Sequence, residues 1–592
     1  MGSRPDVDAE NCYSNLISVQ NFEKYVQESI IIGQLKSQFL MFPRGLNDKR
    51  RHKYGSLVEN KIKNRYANIL PYDDTRVILK KIPGIPFSDY INASYVEGLD
   101  KEKCYIAAQG PKPETVEDFW RMIWQEESLV ICMLANVVES EKIKCSQYWP
   151  EFGSRETYGD ITVFIESQKV FADFTFRIFS ISHKGENRKI EHLHYTGWPD
   201  HKVPLYVHSV ITYLNKLLRT PIGKGPIIVH CSAGVGRTGT LILCDICLRQ
   251  AAQTGSVDVL AQFQKLRDCR LNMVDTELQY VFAHIVLAEC LTAQSTEIPC
   301  NNDLPLAIES VKEKLPQHIQ RLSDTAWQDQ ALCPWMRSLP PLPEHLVKNR
   351  YPELAPGCSN LVYLTRNRAH GYNDYISAVL VDGFKFKKQF FASQLPMPST
   401  IPNFWRLIAE QKVELVIILQ QPDPEDPTCC DVMMNKESFD PVPSLNVEVK
   451  TISDPTKLFQ ITKVLLTTKS GGPSESREVT VLTCTEWGLG RDGKPPPPEV
   501  LVSLWIKSED IHREQGPTLV LCHDGVTGCG LYLALSFVLE RMAVERECDI
   551  ILAVRAVRRA RPCFVQSQEQ FEYLYTAAAE YIKSFETYAN FD

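Results

Sequence analysis

A cysteine and an arginine, six residues apart across a loop of small residues, are the side chains best suited to chemistry. The segment is Val229-His230-Cys231-Ser232-Ala233-Gly234-Val235-Gly236-Arg237-Thr238-Gly239. The apolar residues before it predict a buried strand, and the residues after it predict a helix that begins near Arg237. Gly234 and Gly236 allow backbone N–H groups to turn toward one point, where the helix adds its positive end. The sequence therefore predicts a cradle for an anion.

The side chains of this loop suit the transfer of a phosphoryl group. A thiol in the positive field of the cradle is expected to lose its proton near neutral pH, which makes Cys231 a nucleophile. Arg237 supplies a planar fork that holds two phosphoryl oxygens. Thr238 is placed to donate a hydrogen bond to the sulfur when it becomes a leaving group. The complete string disfavours the alternative that Cys231 is a buried core cysteine beside an ordinary glycine turn.

This string is typical of the cysteine-dependent phosphatases and resembles the tyrosine-specific family. Further segments follow the order of that family; they lie at 63–66, 105–111, 144–150 and 194–200. The resemblance implies a phosphate-binding loop formed by Ser232, Ala233, Gly234, Val235, Gly236 and Arg237. It also implies that Tyr66 stacks on the substrate ring, in a pocket deep enough to favour phosphotyrosine over phosphoserine.

The same resemblance assigns the remaining residues around the cradle. Asn68 would hold the substrate backbone, and Glu139 would brace the arginine. Lys144 would lie near a mobile loop that carries Asp200. Phosphoryl transfer to sulfur requires protonation of the leaving phenolate, so Asp200 is predicted to be the general acid.

The segment that should position water departs from the family. Gln279 is present, but Asp275 stands where the family normally has glutamine. An ionised aspartate repels an anionic phosphoenzyme and cannot donate a hydrogen bond. We therefore predict that this domain forms the cysteinyl phosphate normally and discharges it slowly.

The chain contains this pattern twice. The matched residues and their offsets are Tyr66 with Tyr351 (351 − 66 = 285), Trp198 with Trp487 (487 − 198 = 289) and Gln279 with Gln570 (570 − 279 = 291). A nearly constant offset of this size indicates a duplicated domain. In each copy, short apolar β-branched runs alternate with amphipathic segments, which predicts an α/β (α+β) fold with a central twisted mixed sheet flanked by helices.

These landmarks predict the domain boundaries. They give an N-terminal segment at 1–20, whose first residues we interpret as an addition to the natural sequence. A catalytic domain at 21–295, a linker at 296–310 and a second domain at 311–592 follow. So short a linker predicts an intramolecular contact between the two domains.

The second copy loses the reactive residues when His523 is aligned with the histidine of the first loop. Asp524 then stands at the nucleophile position and Gly530 at the arginine position, while Leu489 replaces the acid. In this alignment Cys522 lies two residues too early. The second domain is therefore predicted to be catalytically inactive. Its resemblance to the second domains of receptor-type tyrosine phosphatases implies that it regulates or recruits.

Such a pair of domains resembles the cytoplasmic region of receptor-type tyrosine phosphatases, and the aspartate resembles the gamma and zeta subgroup and its insect relatives. The resemblance implies a membrane span and an ectodomain upstream that this chain omits. It places the full-length receptor at the plasma membrane, with this soluble fragment on its cytoplasmic side.

Composition excludes several other classes of function. A net charge of −7 over 592 residues gives no basic surface for nucleic acid. The 19 cysteines show no paired spacing, which indicates reduced thiols and predicts neither a metal nor another cofactor. The sequence contains no run of 18 apolar residues, so it predicts no membrane span within these residues.

The predicted function is hydrolysis of phosphotyrosyl proteins through a cysteinyl phosphate. One alternative is a phosphotyrosine-binding scaffold with negligible turnover because of Asp275. Another is a dual-specificity or lipid phosphatase, which would share the cradle but not the Tyr66 loop or the second copy.

Overall fold

A computed structural model describes residues 14–589, except 43, 46–50, 201, 205, 222, 294, 302, 325, 333–341, 358–359, 367–373, 435, 453–457, 470–473 and 512–515. The chain forms two compact units. The first comprises Met1–Gln294 with Trp327–Pro334, and the second comprises Ser295–Ala326 with Trp335–Asp592. Residues 1–13 of the predicted N-terminal segment lie outside the described residues.

The first unit is built around a mixed sheet. The strands described in this unit are β1 (Ile17–Ser18), β2 (Arg76–Ile78), β3 (Tyr90–Val96), β4 (Tyr105–Ala108), β5 (Val130–Met133), β6 (Val138–Glu139), β7 (Lys142–Ile143), β8 (Arg155–Tyr158), β9 (Ile161–Val170), β10 (Phe174–His183), β11 (Glu186–Tyr195), β12 (Ile227–His230) and β13 (Ser256–Val257). Nine of them form one sheet in the order β2-β3-β4-β12-β5-β11-β10-β9-β8. The pairs β4–β12, β12–β5 and β5–β11 are parallel, and the outer pairs are antiparallel. The carboxyl end of β12, at His230, thus lies near the centre of the sheet.

Helices cover this sheet. Those described in the first unit's main segment are α1 (Val19–Ile31), α2 (Gln34–Leu40), α3 (Lys53–Ser56), α4 (Val116–Gln125), α5 (Val207–Arg219), α6 (Gly236–Thr254), α7 (Val259–Cys269) and α8 (Glu277–Thr292). The N-terminal pair α1 and α2 packs against α8, where Phe22 stacks on His284 and the Tyr280 hydroxyl donates to Gln38 at 3.2 Å. These two helices therefore form part of the first unit.

The second unit repeats the arrangement. Its described strands are β14 (Ile298–Pro299), β15 (Leu361–Tyr363), β16 (Tyr375–Val381), β17 (Phe390–Gln394), β18 (Leu415–Ile418), β19 (Ser438–Val442), β20 (Leu445–Ile452), β21 (Phe459–Thr468), β22 (Glu475–Cys484), β23 (Thr518–Cys522) and β24 (Glu547–Cys548). The large sheet has the order β15-β16-β17-β23-β18-β22-β21-β20-β19. β23 is therefore the counterpart of β12. The predicted fold class, with a mixed sheet and flanking helices in each copy, is confirmed.

The second unit also has its own helical layer. The described helices after residue 300 are α9 (Leu304–Glu313), α10 (Leu315–Asp324), α11 (Ala326–Leu332), α12 (Pro343–Leu346), α13 (Ile401–Glu410), α14 (Pro498–Ile511), α15 (Thr527–Glu545), α16 (Ile550–Arg558) and α17 (Gln568–Ala589). Of these, α11 belongs to the first unit from Trp327 onward, and the others belong to the second unit. Among the described helices, α15 is long and apolar enough to cross a membrane, but 78% of that window is buried inside the protein. Core helices of globular domains share this composition.

Residues 296–310, predicted to be a linker, belong instead to the second unit. β14 pairs with β24, with Ile298 opposite Cys548. Leu304 and Ile308, in α9, are buried in the hydrophobic core of the second unit. The polar and proline-containing sequence of this segment suggested a connector, but its few apolar side chains are spaced to reach that core.

Candidate active site

A strand, a loop and a helix that follow one another in the chain place Cys231 near the centre of the first unit's large sheet. β12 ends at His230, and α6 begins at Gly236. The Cys231 side chain is buried, and the N–H of Gly234 donates to its Sγ at 3.3 Å. Gly234 has a φ of +74°, and a Cβ there would lie 2.2 Å from the carbonyl oxygen of Ala108. Both its conformation and this close approach require glycine.

Arg270, which is not among the residues predicted from sequence, holds the loop in this conformation. Its side chain is fully buried and donates to the carbonyl oxygens of Gly234 at 2.9 Å and Ala233 at 3.1 Å. Burial lowers its pKa to about 10. Because these carbonyls are held by Arg270, the loop N–H groups are left to face the cradle. The repeat could have indicated this arginine, because the second copy has Arg561 at the offset of 291. Arg561 plays the same part there and donates to the carbonyl of Gly525 at 2.9 Å.

Arg237 is fixed by a bidentate ion pair with Glu139. The two N–H···O distances are 2.6 and 2.8 Å, and a third bond of 3.0 Å runs to the carbonyl of Leu134. Burial opposes its charge, but the hydrogen bonds and charge of Glu139, together with the charges of Cys231 and Asp200, raise the pKa of Arg237. The guanidinium therefore stays charged and correctly oriented at the cradle.

Asp200 lies beside this guanidinium. Its Oδ1 is 3.5 Å from Nη2 of Arg237, and its Oδ2 is 2.8 Å from Nζ of Lys144. The loop is anchored by Trp198, which is buried and donates from its indole to the carbonyl of Lys202 at 2.9 Å. The structure thus places Asp200, the predicted acid, beside Arg237, the predicted clamp, which lies in the same segment as the predicted nucleophile Cys231, so two separate segments of the chain meet here.

The rim of the pocket is formed by Tyr66 and Ser232. The Ser232 hydroxyl donates to the carbonyl of Lys144 at 3.0 Å, and the Tyr66 hydroxyl lies 2.9 Å from the same Ser232 oxygen. Tyr66 is 37% exposed, so part of its ring is available to a ligand. Asn68 is exposed on the surface two residues later.

Gln279, in α8, and Asp275, just before that helix, lie beside Gly236, the first residue of α6. A Cβ on Gly236 would be 2.9 Å from the Gln279 amide and 3.3 Å from the Asp275 Cβ. The Gln279 oxygen accepts from the N–H groups of Asp275 and Thr276, at 2.9 and 3.2 Å. Its NH₂ group is thus the part of the amide that remains for water.

Thr238 is fully buried on the first turn of α6. Among the described residues its Oγ1 has no hydrogen-bond partner. The predicted bond from this hydroxyl to the sulfur is not formed in this structure.

A neutral network of histidines lies beneath the cradle. The hydroxyl of Tyr148 is 2.8 Å from Nε2 of both His192 and His230. Burial lowers the pKa of His230 to about 4 and that of His194, on the same sheet, to about 3. These rings therefore hold the end of β12 as uncharged groups.

The register of the second loop corrects the sequence alignment. Ala107 pairs with Val229, and its counterpart Ala392 pairs with Val520. The N–H of Gly239 bonds the carbonyl of Val235, as Gly530 does to Val526. The offset in the loop is therefore 291, as it is at Gln570, and not the 293 that matching the two histidines gave.

This register moves every assignment in the second loop by two residues. Cys522 occupies the position of the nucleophile, and Gly528 that of the arginine. Asp524 corresponds to Ala233, and Gly530 corresponds to Gly239. The assignments of Asp524 and Gly530 from sequence were wrong because the two loops were aligned on their histidines. The glycines that fix the turn, Gly234 and Gly525, give the correct alignment. The resemblance to the gamma and zeta subgroup depended on an aspartate at the nucleophile position. Because Cys522 occupies that position, this observation no longer supports it.

Asp524 fills the second cradle with its own carboxylate. Its Oδ1 accepts from the N–H groups of Val526 and Thr527, both at 2.8 Å, and its Oδ2 accepts from the Thr527 hydroxyl at 2.6 Å. Burial raises its pKa, but these hydrogen bonds outweigh that effect and the pKa is lowered. The Cys522 thiol donates to the same carboxylate at 3.3 Å. Leu489, at the acid position, is 47% exposed.

Fold and site define a cysteine-dependent phosphatase architecture that is present twice. The family model for protein-tyrosine phosphatase matches residues 60–289 and 345–580. The chain therefore belongs to the protein-tyrosine phosphatase family.

Relatives that resemble this chain include receptor-type tyrosine-protein phosphatases. The chain is 35% identical to human receptor-type tyrosine-protein phosphatase alpha over 551 residues, covering 90% of this chain and 67% of that protein. It is 34% identical to human receptor-type tyrosine-protein phosphatase epsilon, covering 94% of this chain and 81% of that protein. Identity to chicken receptor-type tyrosine-protein phosphatase S is 34%, and there the chain spans 36% of the relative's length.

Proposed function

We propose that the first unit hydrolyses phosphotyrosyl proteins through a cysteinyl phosphate on Cys231. The observation that carries this proposal is the arrangement of the Arg237 guanidinium, which is braced by Glu139 and lies 3.5 Å from the Asp200 carboxylate. The proposed clamp, Arg237, and the proposed acid, Asp200, therefore lie at the same cradle, and the proposed reaction uses no cofactor.

In the first step, the substrate ring packs against Tyr66 while loop N–H groups and Arg237 bind the phosphoryl oxygens. The Cys231 thiolate attacks phosphorus, an S–P bond forms, and the P–O bond to the tyrosyl ring breaks. Asp200 gives its proton to the leaving phenolate oxygen. Lys144 supports this role by holding the carboxylate at the pocket.

In the second step, water attacks phosphorus and the S–P bond breaks. Asp200 takes the proton of that water, and the thiolate of Cys231 is restored. The free NH₂ group of Gln279 supports a role in orienting the water. Thr238, buried and without a bond of its own among the described residues, is placed on the helix turn to stabilise the leaving sulfur.

The second unit has no catalytic role in this proposal and instead regulates or recruits. Its cradle keeps Cys522 but has Gly528 for the clamp and the Asp524 carboxylate where phosphate would bind. The predicted contact between the two domains remains a prediction. From the relatives' names, we further propose that the chain is the cytoplasmic part of a plasma-membrane receptor.

Rapid-mixing hydrolysis of an aryl phosphate tests the proposal. We expect a burst of phenol followed by slower turnover, abolished by Cys231→Ser and unaffected by Cys522→Ser. A phosphotyrosyl peptide should be preferred over a phosphoseryl peptide of the same sequence. Binding of the phosphotyrosyl peptide without any product would favour the scaffold alternative, and equal rates on both peptides would favour a dual-specificity enzyme.

A further inference from the structure

Three side chains of different chemistry converge beside the second cradle. The Cys429 Sγ lies 3.6 Å from Oδ2 of Asp426 and 3.6 Å from Nδ1 of His523. Oδ2 of Asp426 is also 3.5 Å from Nε2 of the same ring. We call these three residues the Asp-Cys-His cluster. Among the described residues it is the one group of three or more such side chains with mutual distances suited to a metal.

The cluster replaces substrate-handling positions of the first unit. By the 291 offset, His523 stands where the first unit has Ser232. Arg350 donates to the carbonyl of Thr428, as Arg65 does to that of Ile143. The next residue, Cys429, therefore stands where the first unit has Lys144, the partner of the acid.

We propose that the Asp-Cys-His cluster binds one Zn²⁺ ion through a carboxylate oxygen, a thiolate sulfur and an imidazole nitrogen, with water as the fourth ligand. Bond lengths of about 2.0–2.3 Å in a tetrahedral zinc site place ligand atoms roughly 3.3–3.7 Å apart. The Sγ of Cys429 lies within this range of both other proposed ligand atoms, at 3.6 Å from Oδ2 of Asp426 and 3.6 Å from Nδ1 of His523. A mixed set of sulfur, nitrogen and oxygen ligands favours zinc over magnesium or calcium. On binding, a Zn–S bond forms and the thiol proton of Cys429 passes to solvent.

Neighbouring residues hold two of the ligands in place. Oδ1 of Asp426 accepts from the N–H and hydroxyl of Thr428, at 2.8 and 2.7 Å, which leaves Oδ2 directed at the cluster. The Tyr351 hydroxyl lies 3.1 Å from Nε2 of His523. When that nitrogen carries the proton, Nδ1 presents its lone pair toward Cys429. Zinc-binding histidines are commonly oriented in this way, by a hydrogen bond from the ring nitrogen that does not bind the metal.

Arg350 fixes the loop that carries the other two ligands. It donates to the Thr428 hydroxyl at 2.8 Å and to the carbonyl of His523, so it joins this loop to the end of β23. Its Nε is 3.9 Å from Oδ2 of Asp426. One arginine thus brings the segments of all three ligands together and balances part of the charge of Asp426.

Zinc titration of the full chain tests this proposal, with Cys231→Ser as the parent to remove the first unit's nucleophile. Competition with a colorimetric zinc chelator should give one tight ion per chain. Cys429→Ser or His523→Asn should weaken binding by at least about 100-fold, and Tyr351→Phe by about 10-fold. Cys430→Ser, which removes the adjacent thiol, should leave the affinity unchanged.

Cobalt substitution gives a readout that does not depend on variants that could fail to fold. The parent loaded with Co²⁺ should show a thiolate-to-cobalt charge-transfer band and the strong visible bands of a tetrahedral ion. A weak octahedral spectrum without the charge-transfer band would overturn the proposal. Equal zinc affinity of the parent and a folded Cys429→Ser variant would overturn it as well.

Discussion

The carboxylate of Asp275 is paired with the guanidinium of Arg44, with Oδ1 2.9 Å from Nη2. The two residues come from opposite ends of the first unit's sequence and meet where Asp275 and Gln279 border Gly236. A cation beside Asp275 offsets the negative charge that was predicted to slow discharge of the phosphoenzyme. The effect of Asp275 on turnover is therefore expected to depend on Arg44.

Removal of Arg44 should slow the second chemical step. In Arg44→Ala, the unpaired Asp275 repels the anionic phosphoenzyme more strongly, and the steady-state rate after the burst should fall about three- to ten-fold. Asp275→Gln should raise that rate because a neutral amide can donate to water. Rapid-mixing kinetics separate the burst from the steady state.

The double variant provides the control. Arg44→Ala should have no effect in the Asp275→Gln background, since the charge that Arg44 offsets is gone. An equal loss in both backgrounds would show that Arg44 acts independently of Asp275. A burst of unchanged size in all variants is expected, because the first step does not use this pair.

Loss of the acid should depend on the leaving group. Asp200→Asn should slow phosphoenzyme formation by about 10²–10⁴-fold with phenyl phosphate, whose leaving group needs a proton. With a strongly acidic phenol as leaving group, the same variant should lose far less. Single-turnover rates over a series of aryl phosphates measure this, and a constant loss across the series would exclude Asp200 as the acid.

Acid should destabilise the first unit through its buried histidines. The unfolded chain binds a proton at each histidine below about pH 6.5, but folded His230 does so only near pH 4. The free energy of unfolding therefore falls as the pH drops from 6.5 toward 4, by about 2 kcal/mol at pH 5 for His230 alone.

Denaturant unfolding at a series of pH values checks this expectation. His230→Gln should flatten the pH dependence between pH 6.5 and 5, whatever its effect on stability at pH 7.5. An unchanged slope in this variant would mean that His230 does not contribute to acid sensitivity.

The carboxylate in the second cradle should stabilise the second unit. Asp524→Ala removes an acceptor from two backbone N–H groups at the start of α15, so it should lower the free energy of unfolding by about 1–2 kcal/mol. Asp524→Asn, which keeps one acceptor oxygen, should lose less. Equal stability of all three proteins would contradict the observed hydrogen bonds.

Peroxide should inactivate the first unit reversibly. The thiolate is the form of cysteine that peroxide oxidises, and dithiothreitol reverses the first oxidation product. Inorganic phosphate, by occupying the cradle, should protect the activity. Activity that survives peroxide, when mass spectrometry shows Cys231 oxidised, would exclude its role as nucleophile.

The sequence by itself determined the duplicated α+β fold and the first cradle. Strand, loop and helix are adjacent in the chain there, so Cys231, Gly234 and Arg237 are positioned by local backbone geometry. The positions of Asp200 and of the tyrosine at the rim were also predictable, because each residue lies in a segment with a family pattern of its own.

Only the tertiary structure decided the rest. The second loop could be aligned with the first on its histidine or on its glycines. The strand pairing agrees with the alignment on the glycines, which places Cys522 and not Asp524 at the nucleophile position. Arg44 with Asp275, Arg270 with the loop carbonyls, and the Asp-Cys-His cluster each join segments far apart in the chain. Residue spacing in the sequence does not predict such contacts, because they form only when separate elements pack around the same sheet.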